Sequence, residues 1–239
     1  MSRRRVLAIP GLLSDEYVWR CQVAALDGLA DVVVADGSDH DDLSGMARAA
    51  LHVVSADDEP VHVLGHSMGG RVALEVWRLA PERVRTLVLL STGVHPVAPG
   101  ECEGRQAMLD LAAEGMGALT DAWLPPMVHP DRRGDESLMA PLREMVGRSD
   151  RARHARQITA LLRRPDVTSL LGTITVPTLV VVGRQDEWSP VDQHEDIARR
   201  IPGAVLEVVE GAGHFVTVEQ PDVVAALLVD WVTRHGGAR

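Results

Sequence analysis

Val61-His62-Val63-Leu64-Gly65-His66-Ser67-Met68-Gly69 reads as an apolar strand that runs into a glycine-flanked turn, and a helical pattern starts directly after it. A serine hydroxyl is a poor nucleophile unless a sharp turn exposes it to a histidine that can take its proton and to backbone amides that can meet an oxyanion. A strand–turn–helix elbow supplies that geometry, with glycine at both flanks because a Cβ there would strike the neighbouring strand or helix. The five-residue pattern Gly-x-Ser-x-Gly alone carries little weight, since average glycine usage produces it by chance in about one chain in fifteen of this length. Its surroundings decide the reading.

A catalytic serine needs a base, and the base needs a group that fixes its tautomer. Downstream, Thr178-Leu179-Val180-Val181-Val182 has the character of a buried strand and ends in Gly183-Arg184-Gln185-Asp186. Ala204 to Val209 reads as a further strand and ends in Gly211-Ala212-Gly213-His214-Phe215. These segments propose Asp186 as the orienting acid and His214 as the base. Glu187 and Asp192 are rival acids, and Asp186 is preferred because it sits at the turn beyond Gly183. Phe215, the one phenylalanine of the chain, is placed to press on the histidine ring.

Serine, acid and histidine in that chain order, each after its own strand, resemble the α/β-hydrolase superfamily, in particular small bacterial carboxylesterase-like members. The resemblance covers nearly the whole chain. It includes Ile9-Pro10-Gly11-Leu12-Leu13, which falls where that family keeps its oxyanion loop, with proline in place of the family's histidine. It implies that the backbone amides of Leu12 and Met68 form the oxyanion hole. It also implies that the first strand corresponds to the family's third, so about six parallel strands are expected.

The periodicity supports an α/β architecture. Strands are predicted at Arg5–Ile9, Asp31–Ala35, Val61–Leu64 and Val84–Leu90, with helical patterns between them. Leu43, Met46, Ala47, Ala50 and Val54 form one such stripe, with Asp41 and Asp42 placed to cap it. After the elbow, Val72, Val76 and Leu79 form another, stopped by Pro81. Val224, Leu227, Leu228 and Trp231 form a last one after Pro221, ended by Gly236-Gly237. Continuous apolar strands between helices imply a mainly parallel sheet with helices on both faces. The stretch 94–171 breaks the alternation. It has proline clusters at Pro96/Pro99 and Pro125-Pro126 and helical patterning over Arg105–Leu119 and Leu138–Leu162. Residues 1–93 and 172–239 are therefore assigned to a core, and 94–171 to an inserted helical cap over the site. Met108, Met116, Met127, Met139 and Met145 lie in this insertion, where methionine suits either an adaptable pocket or ordinary core. Trp123, Met127, Trp188 and Phe215 are the candidate pocket residues.

Composition narrows the partners. All 24 basic residues are arginine, and the formal charge is −10. No basic block is long enough to track a phosphate backbone, which argues against nucleic acid. No apolar stretch approaches the roughly twenty residues needed to span a bilayer. Arg3-Arg4-Arg5 followed by an apolar run imitates a signal peptide faintly, but Pro10-Gly11 breaks it, and it reads as the first strand. Cys21 and Cys102 cannot make a disulfide framework, so buried thiols and a cytoplasmic location are expected. Asp36, Asp39, His40, Asp41 and Asp42 are too bunched for a calcium loop and read as a solvated turn before a helix. His62 and His66 belong to a strand and its turn, where four-residue spacing does not bring them together. No metal and no cofactor are expected. Arg148, Arg151, Arg153, Arg156, Arg163 and Arg164 read mostly as an exposed helix face, although one inward arginine would be enough to select an acidic substrate.

The expected function is that of a serine hydrolase cleaving a small-molecule ester through an acyl-enzyme. The same triad in related enzymes also cleaves lactones, thioesters and carbon–carbon bonds, or works as a cofactor-free perhydrolase. A reading from a different class is a ligand receptor of the same fold that turns over slowly. The sequence carries no signal for oligomeric state.

Overall fold

Valine and leucine runs of five to seven residues, too short for buried helices and bounded by turn residues, form the strands of a sheet buried on both faces. The computed structural model describes residues 4–37, 39–54 and 59–236; Arg3 and Gly237, which figured in the sequence reading, lie outside that range. Within it the strands are β1 (Arg4–Ile9), β2 (Ala30–Val34), β3 (Val61–His66), β4 (Val84–Leu90), β5 (Thr178–Gly183) and β6 (Val205–Val209). They form one sheet in the order β2-β1-β3-β4-β5-β6, with every pair parallel. The central strands β3 and β5 are buried along their whole length, while the edge strands β2 and β6 are partly exposed. The apolar runs predict a parallel sheet covered on both faces, and the resemblance implies the count of about six strands; both agree with this sheet.

The helices of the alternating part are α1 (Arg20–Leu26), α2 (Leu43–Val53) and α3 (Met68–Leu79), and each returns the chain to a parallel strand. Asp42 caps α2 by accepting the Gly45 amide at 2.7 Å, as its position ahead of the apolar stripe predicts. Between β4 and β5 the chain forms α4 (Glu101–Glu114), α5 (Met116–Trp123), α6 (Glu136–Gly147) and α7 (Arg151–Leu162). Each of the two helical patterns read over this stretch is thus split in two. Gly115 separates the first pair, and Asp150 starts α7 afresh by accepting the Arg153 amide at 2.7 Å. The chain closes with α8 (Val191–Arg200), the single turn α9 (Val216–Glu219) and α10 (Pro221–His235), which ends at Gly236.

The strand order reverses between β1 and β3. From β1 the chain steps outward to β2, and from β3 it steps the other way to β4. Right-handed crossovers then place α1 and α3 on opposite faces, which opens a crevice beyond the carboxyl ends of β1 and β3. α2 packs with α3, and α1 packs with α10.

The inserted helices are tied to the body by arginine–aspartate pairs: Arg148 to Asp15 at 2.7 Å, Arg153 to Asp36 at 3.5 Å and Arg163 to Asp41 at 3.0 Å. Of the acidic bunch around residue 40, Asp42 therefore caps a helix, and Asp36 and Asp41 hold two of these arginines. Met139 and Met145 are core, whereas Met108 and Met127 face a cavity. Neither thiol meets the expectation of burial. Cys21 is half-buried, and Cys102 is exposed because it falls on the outer side of the first turn of α4. Among the described residues no helix is long and apolar enough to cross a membrane, and no group of three His, Cys, Asp or Glu side chains converges as metal ligands would.

Candidate active site

Ser67 stands between β3 and α3 at φ 56° and ψ −121°, a conformation that a side chain adopts only under constraint. The surroundings impose it. The Ser67 amide donates to the Leu90 carbonyl at 2.9 Å, and its own carbonyl accepts from the Thr92 hydroxyl at 2.7 Å and the Gly70 amide at 3.0 Å. The flanking glycines are dictated by space. A Cβ on Gly65 would lie 2.3 Å from the Gly69 carbonyl oxygen, and one on Gly69 would lie 2.1 Å from that of Ile9. Among the described residues the other two non-glycine positions with positive φ, Leu13 and Ser91, follow β1 and β4 at the same end of the sheet. Backbone strain is concentrated around the serine.

The three predicted polar residues converge. His214 Nε2 lies 2.8 Å from Ser67 Oγ, and His214 Nδ1 lies 2.9 Å from Asp186 Oδ2. Asp186 and His214 are both buried. Burial by itself would raise the Asp186 pKa. Facing His214 and accepting hydrogen bonds from the Ser189 amide and hydroxyl outweigh it, and the pKa falls to about 2. An ionised Asp186 can only accept, so Nδ1 of His214 carries the proton, and Nε2 is free to accept from the serine hydroxyl. The rival acids point elsewhere. Glu187 pairs with Arg133 at 2.8 Å, and Asp192 accepts the adjacent Gln193 amide.

Leu12 and Met68 border the same cavity as Ser67 and His214. Met68 is the first residue of α3, so its amide has no acceptor within the helix and lies at the positive end of the helix dipole.

The loop carrying His214 is held from several sides. The His214 amide donates to the Met127 carbonyl at 2.8 Å. His66 donates from Nε2 to the His214 carbonyl at 2.8 Å, and burial lowers the His66 pKa to about 4, which keeps that ring neutral. The Glu219 carboxylate accepts the amides of Gly213 at 3.0 Å and His129 at 2.8 Å. Ser189, Glu219 and His194 are supporting residues that the sequence reading missed. His194 accepts the Thr92 amide at 2.9 Å and donates to the Pro190 carbonyl. Only Ser189 had a local signal, because a serine three residues after an aspartate is a common turn arrangement.

The cavity beside Ser67 measures about 310 Å³. Trp123, Met127 and Trp188 line it. Phe215 does not. It is fully buried behind the histidine, its ring centroid 6.2 Å from that of His214 and 6.1 Å from that of Trp123. The start of α9 directly after it turns the ring into the core. The surprise in the lining is charge: Arg71, Arg105, Arg164 and Glu101 all face the cavity. Glu101 binds Arg164 at 2.6 Å and Arg105 at 3.1 Å; burial would raise its pKa, but these partners and the Ala98 amide outweigh it and leave it at about 2. A second chamber of about 380 Å³ adjoins the first across Leu12, Trp123 and Met127, and its lining is largely apolar, with Met108 and Ile158.

Fold and site together define a parallel α/β protein with a serine–histidine–aspartate relay at the carboxyl edge of its sheet. The profile of the alpha/beta hydrolase family matches residues 6–227, and the chain belongs to that family. It is a hydrolase. It is 28% identical over 221 residues to 2-hydroxy-6-oxononadienedioate/2-hydroxy-6-oxononatrienedioate hydrolase 1 of Pseudomonas putida, a match covering 85% of this chain and 73% of that protein. It is 30% identical over 208 residues to the pimeloyl-[acyl-carrier protein] methyl ester esterase of a Neisseria meningitidis serogroup B strain, covering 81% of this chain and 76% of that protein. The solved structure of a thermophilic esterase from Thermogutta terrifontis, with malate bound, is similar at a TM-score of 0.89 and 26% identity, covering 98% of this chain and 91% of that one.

Proposed function

We propose that this hydrolase cleaves small carboxylic esters through a serine acyl-enzyme. The observation that carries the reading is the continuous relay from Ser67 Oγ through His214 to Asp186, at 2.8 and 2.9 Å, opening onto a cavity. Ser67 Oγ attacks the ester carbonyl while His214 Nε2 takes its proton. The amides of Leu12 and Met68 hold the oxyanion of the tetrahedral intermediate. Collapse expels the alcohol, which receives the proton from His214, and leaves an acyl group on Ser67. Water, activated by the same imidazole, then releases the acid. Asp186 keeps the imidazole in the productive tautomer and stabilises its charged form. Residues 94–171 act as the cap, contributing Trp123 and Met127 to the wall. The esterase names among the relatives agree with this chemistry.

Ser67→Ala tests the reading. It should abolish both ester turnover and fluorophosphonate labelling, with a loss on the order of 10⁶ in kcat, while the protein stays folded. A folded Ser67→Ala protein that still labels at Ser14, Ser91 or Ser189 would disprove the assignment. Stoichiometric labelling of Ser67 without multiple turnover of any ester, lactone or thioester would instead indicate a slow receptor.

A further inference from the structure

The whole chain is acidic, with a formal charge of −10. The wall of the cavity beside Ser67 has the opposite character. It presents three guanidinium groups, of Arg71, Arg105 and Arg164, against the single carboxylate of Glu101. Arg164 is satisfied as a strut: it binds Glu101 in bidentate fashion at 2.7 and 2.6 Å, and also the carbonyls of His95, Pro96 and Leu161. Arg105 reaches the same Glu101 oxygen at 3.3 and 3.1 Å, so it shares a carboxylate already committed to Arg164. Arg71 forms no ion pair with any described residue, and the hydrogen bond that it makes is from Nη1 to the His95 carbonyl at 3.0 Å. Two positive charges are therefore in excess inside a partly enclosed site. Arg71 is half-buried, and a guanidinium partly withdrawn from water without an ion-pair partner gains when an anion arrives to meet it. Burial, and the neighbouring Arg164, pull the Arg71 pKa down to about 9 despite the opposing pull of the Glu101 carboxylate.

The position of Arg71 relates this excess charge to the chemistry. It lies four residues after Ser67, one turn further along the face of α3 that starts at the nucleophile. Four residues advance a helix by roughly 6 Å, and side chains lean toward the N-terminus, which here means toward Ser67. A planar fork of donors at that distance matches a carboxylate separated from the reacting carbonyl by a short carbon chain. The adjoining chamber is mainly apolar, with Arg105 and Glu101 on its boundary with the first, so beyond them the site asks for an apolar group.

We propose that the natural substrate is an acid ester whose free carboxylate seats on Arg71 and Arg105, with its scissile carbonyl at Ser67. This rests on the esterase reading above and narrows it. The carboxylate stays unreacted, and the bond that breaks is the ester bond alone. Glu101 then acts in two ways. It holds Arg105 in the wall that Arg71 also lines, and by pairing with Arg164 it leaves the net positive charge to Arg71 and Arg105.

The test compares isosteric pairs that differ only in charge. Monomethyl glutarate is set against methyl glutaramate, and 4-acetoxybutanoate against its amide, so that the acid lies in the acyl half of one pair and in the alcohol half of the other. Wild-type kcat/KM, followed by pH-stat, should favour the acid by at least tenfold in one pair, and added salt should reduce the preference. Arg71→Gln, and separately Arg105→Gln, should collapse that ratio toward one. Binding is measured independently of turnover, with glutarate and glutaramide titrated into folded Ser67→Ala protein. Glutarate should bind at least tenfold more tightly, and Arg71→Gln in that background should remove the difference. Ester turnover with no acid preference in either pair, and with glutarate binding no better than glutaramide, overturns the inference and leaves the esterase reading standing. Arginine-dependent glutarate binding without hydrolysis of any ester overturns the esterase reading and leaves the carboxylate seat.

Discussion

Gly69→Ala puts one methyl group between the two halves of the proposed catalytic apparatus. The added Cβ would stand 2.1 Å from the Ile9 carbonyl oxygen and 2.7 Å from that of Pro10, where real Cβ atoms do not come closer than 3.0 Å. Neither neighbour is a flexible side chain that can swing away. Both are backbone, and they lead directly into Gly11 and Leu12, the loop proposed to supply an oxyanion amide. The elbow and the loop must therefore separate by nearly the whole deficit. A displacement of roughly 1 Å at reacting groups costs about 10²-fold in rate, or about 2.7 kcal/mol of transition-state stabilisation. Overpacking a tight core adds about 1–3 kcal/mol of destabilisation, and for a chain of this size each kcal/mol lowers Tm by about 2–4 °C. The assay is kcat/KM on a p-nitrophenyl ester alongside calorimetry. Gly104→Ala serves as the control, because Gly104 lies within α4 and a methyl group there would meet nothing within 4 Å. That change should leave the rate alone and stabilise slightly, through helix propensity. A Gly69→Ala enzyme with activity within twofold of wild type and an unchanged Tm would refute the claim that steric closure between β1 and α3 builds the site.

Two further outcomes are expected. Asp186→Asn should lower kcat by about 10⁴ by allowing the wrong imidazole tautomer, whereas Glu187→Gln, which loses only the partner of Arg133, should be mild; equal losses in folded proteins would reassign the acid. Acid should destabilise the fold from about pH 6.5 downward, because burial holds His62, His66 and His154 at about 4. Between those values the unfolded chain takes up protons that the native one refuses, so stability falls with a slope of up to about 1.4 kcal/mol per pH unit for each histidine. Asp186 and Glu101, lowered to about 2, contribute stability that is lost only at more acid pH, as it falls from the unfolded carboxylate range toward 2. Urea denaturation at pH 7.5, 5.5 and 4.5 measures this, and a flat profile would contradict the neutral, buried state of the three rings.

The sequence by itself determined the strands and the proposed relay. Short apolar runs bounded by glycine, proline and acidic turn residues are local features, and Ser67, Asp186 and His214 each follow such a run directly. A parallel sheet then places the carboxyl ends of all its strands along one edge, so residues at successive strand ends meet without any further instruction. Tertiary structure alone decided the rest. Phe215 adjoins His214 in sequence, yet the turn into α9 sends its ring into the core instead of the cavity. The exposed-face reading of the arginines in the inserted segment holds for Arg163 and fails for Arg164, although the two are adjacent, because of these two Arg164 alone reaches Glu101, 63 positions away. Nothing local distinguishes Arg71 on α3, or Arg105 on α4, from an arginine on any exposed helix face. Whether such a guanidinium faces water or a reacting serine depends on how the inserted helices fold back over the sheet. That arrangement is set by packing between segments distant in the chain, and no residue carries a local signature of it.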